Sequence, residues 1–380
     1  MLLLLSHIYA AAQSALLLAT SRTSSPVTPH TRELIIPYSN VSSNLPPFTN
    51  DPEISFRLSN RTYGVIIDTG TTGLVLSAAM LPNWDPSTAS AHPVGWEFLS
   101  SSKLLWIGVW IPQEIHFLTT ENISVVASVP VLAITKSYTC PRYNARTDGP
   151  NCFDPTESEE MPDDILLLGV GFARQSDGQP QGTPDKNPLL NIILVDGEKI
   201  APSDRLNSGY RISQEGVSLG IPQRDLDEFS ILNLQPGNTN DSRDWGPVPA
   251  CIRVGDSPCV EADALIDTGI PQMYMTVPFS MPVERHTEPS LSSGANVSVL
   301  DDGQIVEILF GRPGNYVARY NFTVGDHDAR DTSLAPVQAI TRRSAIISPF
   351  VNTGRHLLRG YEVMFDAVEG RYGFKPWTGN

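Results

Sequence analysis

Apolar residues along this chain gather in short runs separated by turn formers, and few stretches sustain a 3.6-residue repeat over a dozen positions. From about Ile35 the runs are rich in Val, Ile, Tyr and Phe: TYGVIID at 62–68, GLVLSA at 73–78, VSVL at 297–300 and YEVMFD at 361–366. Such residues suit a pleated, half-buried surface. Between the runs, DGE at 196–198 and DDG at 301–303 are turn sequences. The pattern predicts a mostly β protein with short, sparse helices, placed near 187–194 and 222–228. Its 32 prolines and 28 glycines are scattered rather than gathered in one tract, which fits many strands joined by turns.

One arrangement within this pattern occurs twice. TYGVIIDTGTTGLVLSA (62–78) and ADALIDTGIPQMYMTVP (262–278) share an order: an apolar run, Asp-Thr-Gly, small or polar residues, and a second apolar run. Asp and Gly are favoured in ordinary β-turns, so a single copy would carry little. Two copies, each directly after a buried-strand pattern, predict one structural unit built twice. The aspartates, Asp68 and Asp267, are 199 residues apart, close to half of the 380-residue chain. That spacing is far too long for a solenoid repeat and suits two packed halves.

The chemistry this repeat could support follows from electrostatics. An Asp at the end of a strand projects from a rigid platform, and the Gly that follows lets the backbone turn tightly and approach a symmetry mate. Thr69 and Thr268 could then hydrogen-bond across to the opposite loop. Two such loops meeting on a pseudo-twofold axis would bring Asp68 and Asp267 within hydrogen-bond reach. Like charges that close do not both ionise, so the pair keeps one proton. The ionised member could take a proton from a water while the protonated one polarises a carbonyl.

At these residues the chain resembles the pepsin-like aspartic protease family, over about Ile35 to Trp377. DTGTTGL at 68–74 is similar to the family's first active-site motif and DTG at 267–269 to its second. MPDDILLLGVGF (161–172) resembles the strand-plus-glycine segment that threads behind the first catalytic loop. GYRISQEGVSLGI (209–221) resembles the strand pair closing the first lobe, and GYEVMFDAVEGRYGFKPW (360–377) the terminal hairpin. The resemblance implies a bilobed pepsin-like fold with a peptide-binding cleft between two pseudo-symmetric β lobes, at 34–221 and 222–380. It implies Asp68 and Asp267 as catalytic residues, with Thr69, Gly70, Thr71, Thr268 and Gly269 in support.

Three departures bear on that expectation. Ile270 stands where the family has Ser or Thr after the second Asp-Thr-Gly, and an isoleucine cannot donate a hydrogen bond to Asp267. The stretch matching the flap over the cleft (98–117) has no Tyr, leaving Trp106 as the flap candidate, with packing of Trp106 and Trp110 in the surface of the lobe as the alternative. Ser348 stands near a glycine expected behind the second loop. A pepsin-like protein that keeps the cleft to bind a polypeptide or inhibit an enzyme is therefore the competing expectation to an acid endopeptidase. A β-rich recognition module is a third.

Composition narrows the partners. The net charge of −15 and the absence of a basic cluster argue against nucleic acid. Residues 1–20 are apolar with small residues and read as a signal peptide; 21–33 read as a polar tail or short pro-segment. No later run is long enough to span a bilayer. Six sequons, at Asn40, Asn60, Asn122, Asn240, Asn296 and Asn321, fit a secreted glycoprotein. The four cysteines fall as near neighbours, Cys140 with Cys152 and Cys251 with Cys259. Three pairings are open, of which two local disulfides are the simplest. No HExxH, nucleotide loop or GxSxG elbow occurs, so no metal and no cofactor is expected. The expected state is a secreted monomer acting on polypeptide.

Overall fold

The structure, a computed structural model, describes residues 33–40, 48–174, 178–326 and 333–377. The signal peptide expected at 1–20 and all but Glu33 of the tail expected at 21–33 lie outside the described residues. The protein is mostly β, in three sheets of ten, nine and six strands. Burial along each strand follows the sequence pattern. Glu53–Leu58 alternates, with Ile54, Phe56 and Leu58 inward, so it is covered on one face. Thr72–Ser77 is buried at every position, as a strand covered on both faces must be.

The ten- and nine-stranded sheets contain the same six-strand path. In the first, Ser124–Thr139, Thr72–Ser77, Leu166–Val170, Arg61–Asp68, Glu53–Leu58 and Leu104–Leu118 lie side by side in that order. In the second the order is Ala339–Arg343, Met273–Val277, Phe350–Asn352, Val260–Leu265, Val248–Val254 and Ile305–Arg312. The directions agree pair by pair: parallel, antiparallel, parallel, antiparallel, antiparallel. In each path the strand entering an Asp-Thr-Gly loop and the strand leaving it are separated by a single strand from much later in the chain.

The six-stranded sheet draws on distant segments. Its order is Leu34–Pro37, Gly216–Leu219, Gly209–Ile212, Tyr361–Asp366, Arg371–Pro376 and Ser230–Asn233. All five pairings within it are antiparallel. Phe365 from this sheet stacks on Phe172, with ring centroids 4.2 Å apart, and so ties it to the segment following Leu166–Val170.

Among the described residues the one α-helix is Gln223–Glu228, within the stretch expected at 222–228. The helix expected near 187–194 is not formed. Asn187 caps a single 3-10 turn, Pro188–Leu190, by accepting from Leu189 N at 2.9 Å. The β-branched Ile192–Val195 then pairs with Val125–Ala127 instead. That strand reverses through Asp196 and Gly197, both at positive φ (51° and 82°), the geometry a two-residue hairpin needs. Sheet pairing outweighed local helix preference here.

Cys140 is bonded to Cys152 and Cys251 to Cys259, with Cα separations of 5.9 and 5.7 Å. No described helix is long and apolar enough to cross a membrane. Asn60, Asn122, Asn240, Asn296 and Asn321 are exposed, whereas Asn40 is half-buried. The Asn40 amide donates to the Asp51 carbonyl at 2.7 Å and accepts from Glu53 N at 3.2 Å.

Candidate active site

Asp68 closes the strand Arg61–Asp68, and Asp267 follows the strand Val260–Leu265 by one residue, Ile266. The two loops interlock through their threonines. Thr69 N donates to Thr268 Oγ1 and Thr268 N donates to Thr69 Oγ1, both at 3.0 Å. Each hydroxyl in turn donates to a carbonyl of the opposite unit, Thr69 to Ile266 and Thr268 to Ile67, both at 2.6 Å. All four partners are buried, where such bonds are not exchanged for water.

The glycines make room for the carboxyls. A Cβ on Gly70 would fall 2.6 Å from Asp267 Oδ2, and one on Gly269 would fall 2.7 Å from Asp68 Cγ. Each carboxyl thus sits against the opposite loop, in space that only a residue without a side chain leaves free. Asp68 and Asp267 are both 6% exposed, nearly buried yet not sealed. The two carboxyls lie close enough for the charge of Asp267 to act on Asp68.

Within its own loop each carboxyl accepts a backbone bond, Gly70 N to Asp68 Oδ1 at 2.6 Å and Gly269 N to Asp267 Oδ1 at 2.8 Å. The second oxygens differ in their donors. Thr71 Oγ1 donates to Asp68 Oδ2 at 3.1 Å. Asp267 Oδ2 instead accepts from Asn352 Nδ2 at 2.6 Å. Asn352 lies on Phe350–Asn352, the strand threaded between the two that flank Asp267.

Burial raises the Asp68 carboxyl well above the ordinary carboxylate range. The charge of Asp267 adds to this, while the Gly70 N–H and the charge of Arg174 oppose it. The pair therefore holds a proton at pH values where an exposed aspartate has lost its own. Arg174 is itself buried and pairs with Glu97 at 3.4 Å. Neither residue was singled out from the sequence.

Trp106 lies on Leu104–Leu118, 9% exposed, packed in a small apolar cluster with Val75, Trp110, Leu132 and Leu167. The hairpin it belongs to, Val94–Leu99 with Leu104–Leu118, is held along its outer strand. Gln179 exchanges two bonds with the Phe98 backbone, at 3.0 and 2.9 Å, and Gln181 donates to Trp96 O at 2.6 Å. The glycine expected near Ser348 is Gly354. Asp68 faces Gly169 in the first parallel pair, and continuing the register of the second, where Leu265 faces Asn352, sets Asp267 opposite Gly354. Ser348 lies on the exposed segment before that strand.

Among the described residues no group of three or more His, Cys, Asp or Glu side chains could hold a metal ion. A cavity of about 160 Å³ is lined by Thr69, Phe172, Arg174, Tyr210, Asp263 and Phe350 among others, but by neither carboxyl of the pair. It adjoins the loops without being the place where the acids meet. No protein-family model matches the chain, and no curated protein is significantly similar to it in sequence.

Proposed function

We propose that the chain is an aspartic endopeptidase of the pepsin-like kind, two-lobed and secreted, with Asp68 and Asp267 as its catalytic acids. The observation that carries this reading is the pair of nearly buried carboxyls, each set against the glycine of the opposite loop and held by reciprocal threonine bonds. The repeated six-strand path supports a lobe made twice, with the pair where the two units meet. Disulfides and exposed sequons are compatible with an oxidising, glycosylating route of export.

In this reading Asp68 carries the shared proton and Asp267 is ionised. Asp267 takes a proton from a water placed between the carboxyls, and the water oxygen bonds to the carbon of the scissile amide. Asp68 gives its proton to the carbonyl oxygen, producing a neutral gem-diol. The proton on Asp267 then passes to the amide nitrogen, the C–N bond breaks, and one diol hydroxyl returns its proton to Asp68. One water is consumed, and one acid and one amine leave. No covalent intermediate is needed.

The test is digestion of a peptide library at acidic to mildly acidic pH, about 3–6, alongside Asp68→Asn and Asp267→Asn. Cleavage by the parent that both variants lose is the expected result. A parent that cleaves nothing after any leader or pro-segment is removed would favour a polypeptide-binding relative instead.

A further inference from the structure

Matching the two units residue by residue exposes an exchange of chemical roles. Both parallel pairs share one register, so Gly354 corresponds to Gly169 and, two places earlier, Asn352 corresponds to Leu167. Counting from each aspartate, Ile270 corresponds to Thr71. In the first unit the polar member is Thr71 and the apolar member Leu167. In the second the apolar member is Ile270 and the polar member Asn352.

We propose that Asn352 is the positioning residue of the second loop, supplying from the threaded strand the donor to Asp267 that Ile270 cannot supply from the loop. This rests on the reading of the pair as a peptidase catalyst. The amide is oriented for the task. Its Oδ1 accepts from Gly354 N at 3.0 Å, which leaves Nδ2 directed at Asp267 Oδ2 at 2.6 Å. Asn352 is 9% exposed, so little water competes for either bond. A charge-assisted bond of this length favours the ionised form of its acceptor. Asp267 is the member that must be ionised to take a proton from water. Ile270 therefore does not mark a missing function; the hydrogen bond has another source.

The test uses the secreted protein with Asn352→Leu, Asn352→Asp, Ile270→Thr and the double variant Asn352→Leu/Ile270→Thr. Loss of one charge-assisted bond predicts a roughly ten- to hundredfold fall in kcat for Asn352→Leu, with KM changed little. The acid limb of its rate–pH profile is expected to move to higher pH. The double variant is expected to recover both, because a threonine in the loop can donate as Thr71 does. Asn352→Asp keeps an acceptor for Gly354 N while replacing the donor, so it preserves the turn and is expected to lose kcat as well. It decides the matter if Asn352→Leu does not fold. An unmoved acid limb in Asn352→Leu, or a rate loss that Ile270→Thr does not rescue, would overturn the proposal.

A second readout separates this outcome from failure of the peptidase reading. In protein labelled with ¹³C at aspartate carboxyls, the resonance of the carboxyl pair (assigned by its loss in Asp267→Asn) should change at higher pH in Asn352→Leu than in the parent. Should the parent cleave nothing while this resonance moves, the peptidase reading fails and the role of Asn352 stands. A resonance that does not move overturns the role whatever the parent cleaves.

Discussion

In the loop of Asp68 the side-chain donor to the carboxyl comes from Thr71, within the same turn; in the loop of Asp267 it comes from Asn352, on a strand remote in sequence. The rest of the two loops is shared: reciprocal threonine bonds, a glycine N–H to each carboxyl, a bare glycine facing the opposite acid. A repeated unit thus keeps its geometry where two loops must fit each other, and varies where a requirement can be met from more than one direction. What each unit preserves is a donor at a carboxyl oxygen. The residue type and its place in the chain are free to differ.

The sharpest way to break this comparison is at the acids themselves. Asp68→Asn and Asp267→Asn are each expected to lower peptide cleavage by about 10²–10⁴-fold, the usual contribution of a positioned acid or base. A variant that retained activity would show that the two loops are not partners in one reaction. Next come the threonines. Thr69→Val and Thr268→Val each leave a buried N–H and a buried carbonyl of the opposite unit without a partner. Each should lower unfolding free energy by about 2–4 kcal/mol, read by denaturant titration. The two losses should agree closely, and a large disparity would mean that one loop carries the interlock. Thr71→Val then sharpens the donor comparison. Its expected fall in kcat is roughly two- to tenfold, smaller than for Asn352→Leu because Asp68 carries the proton and its bond from Thr71 is not charge-assisted.

The smallest expected effect is on stability against pH. Burial raises the carboxyls of Asp68, Asp225, Asp244, Asp263, Glu362 and Asp366 above their ordinary values. Three are held down: Asp85 by bonds from Ser87, Glu228 by Lys375, and Asp241, where bonds from Arg243 outweigh burial. A raised carboxyl binds its proton more tightly folded than unfolded. Its contribution is complete below the unfolded value and is lost as pH rises through the folded one. Thermal melting should therefore show a falling Tm as pH rises from about 4 toward neutral. Asp68→Asn should flatten part of that slope, and a Tm that climbs toward neutral would contradict the balance of raised groups.

Features carried by contiguous residues were legible in the sequence. The doubled Asp-Thr-Gly motif, the strand patterns around it and the near-neighbour cysteines are all local. Asn352 was not legible, because its contact with Asp267 depends on the register of a strand drawn from 85 positions further along. A polar residue following Phe350 and Val351, where the matching stretch of the first unit is LLLG, is the trace it left. Ile270 could be read as a lost donor, but nothing in the loop reveals a replacement arriving from outside it. Arg174 and Glu97 escaped notice for the same reason, being neighbours only once the sheets are assembled. At 187–194 the misreading had another cause: an apolar stretch of that length satisfies helix and strand patterns alike, and pairing with Val125–Ala127 decided it.

The six-stranded sheet has a consequence for how the chain is made. Its strands from 34–37 and 216–219 are neighbours, and the one at 209–212 has its other edge covered only by residues 361–366. A nascent polypeptide emerging from the ribosome can thus build the early half of this layer but must hold one side of it open through some 150 further residues of synthesis. Closing ordered segments over such separations is entropically slow, and an uncovered edge invites pairing with another chain. Maturation of this protein should accordingly depend on folding helpers that shield the open edge, and yield on refolding from denaturant should fall steeply as protein concentration rises.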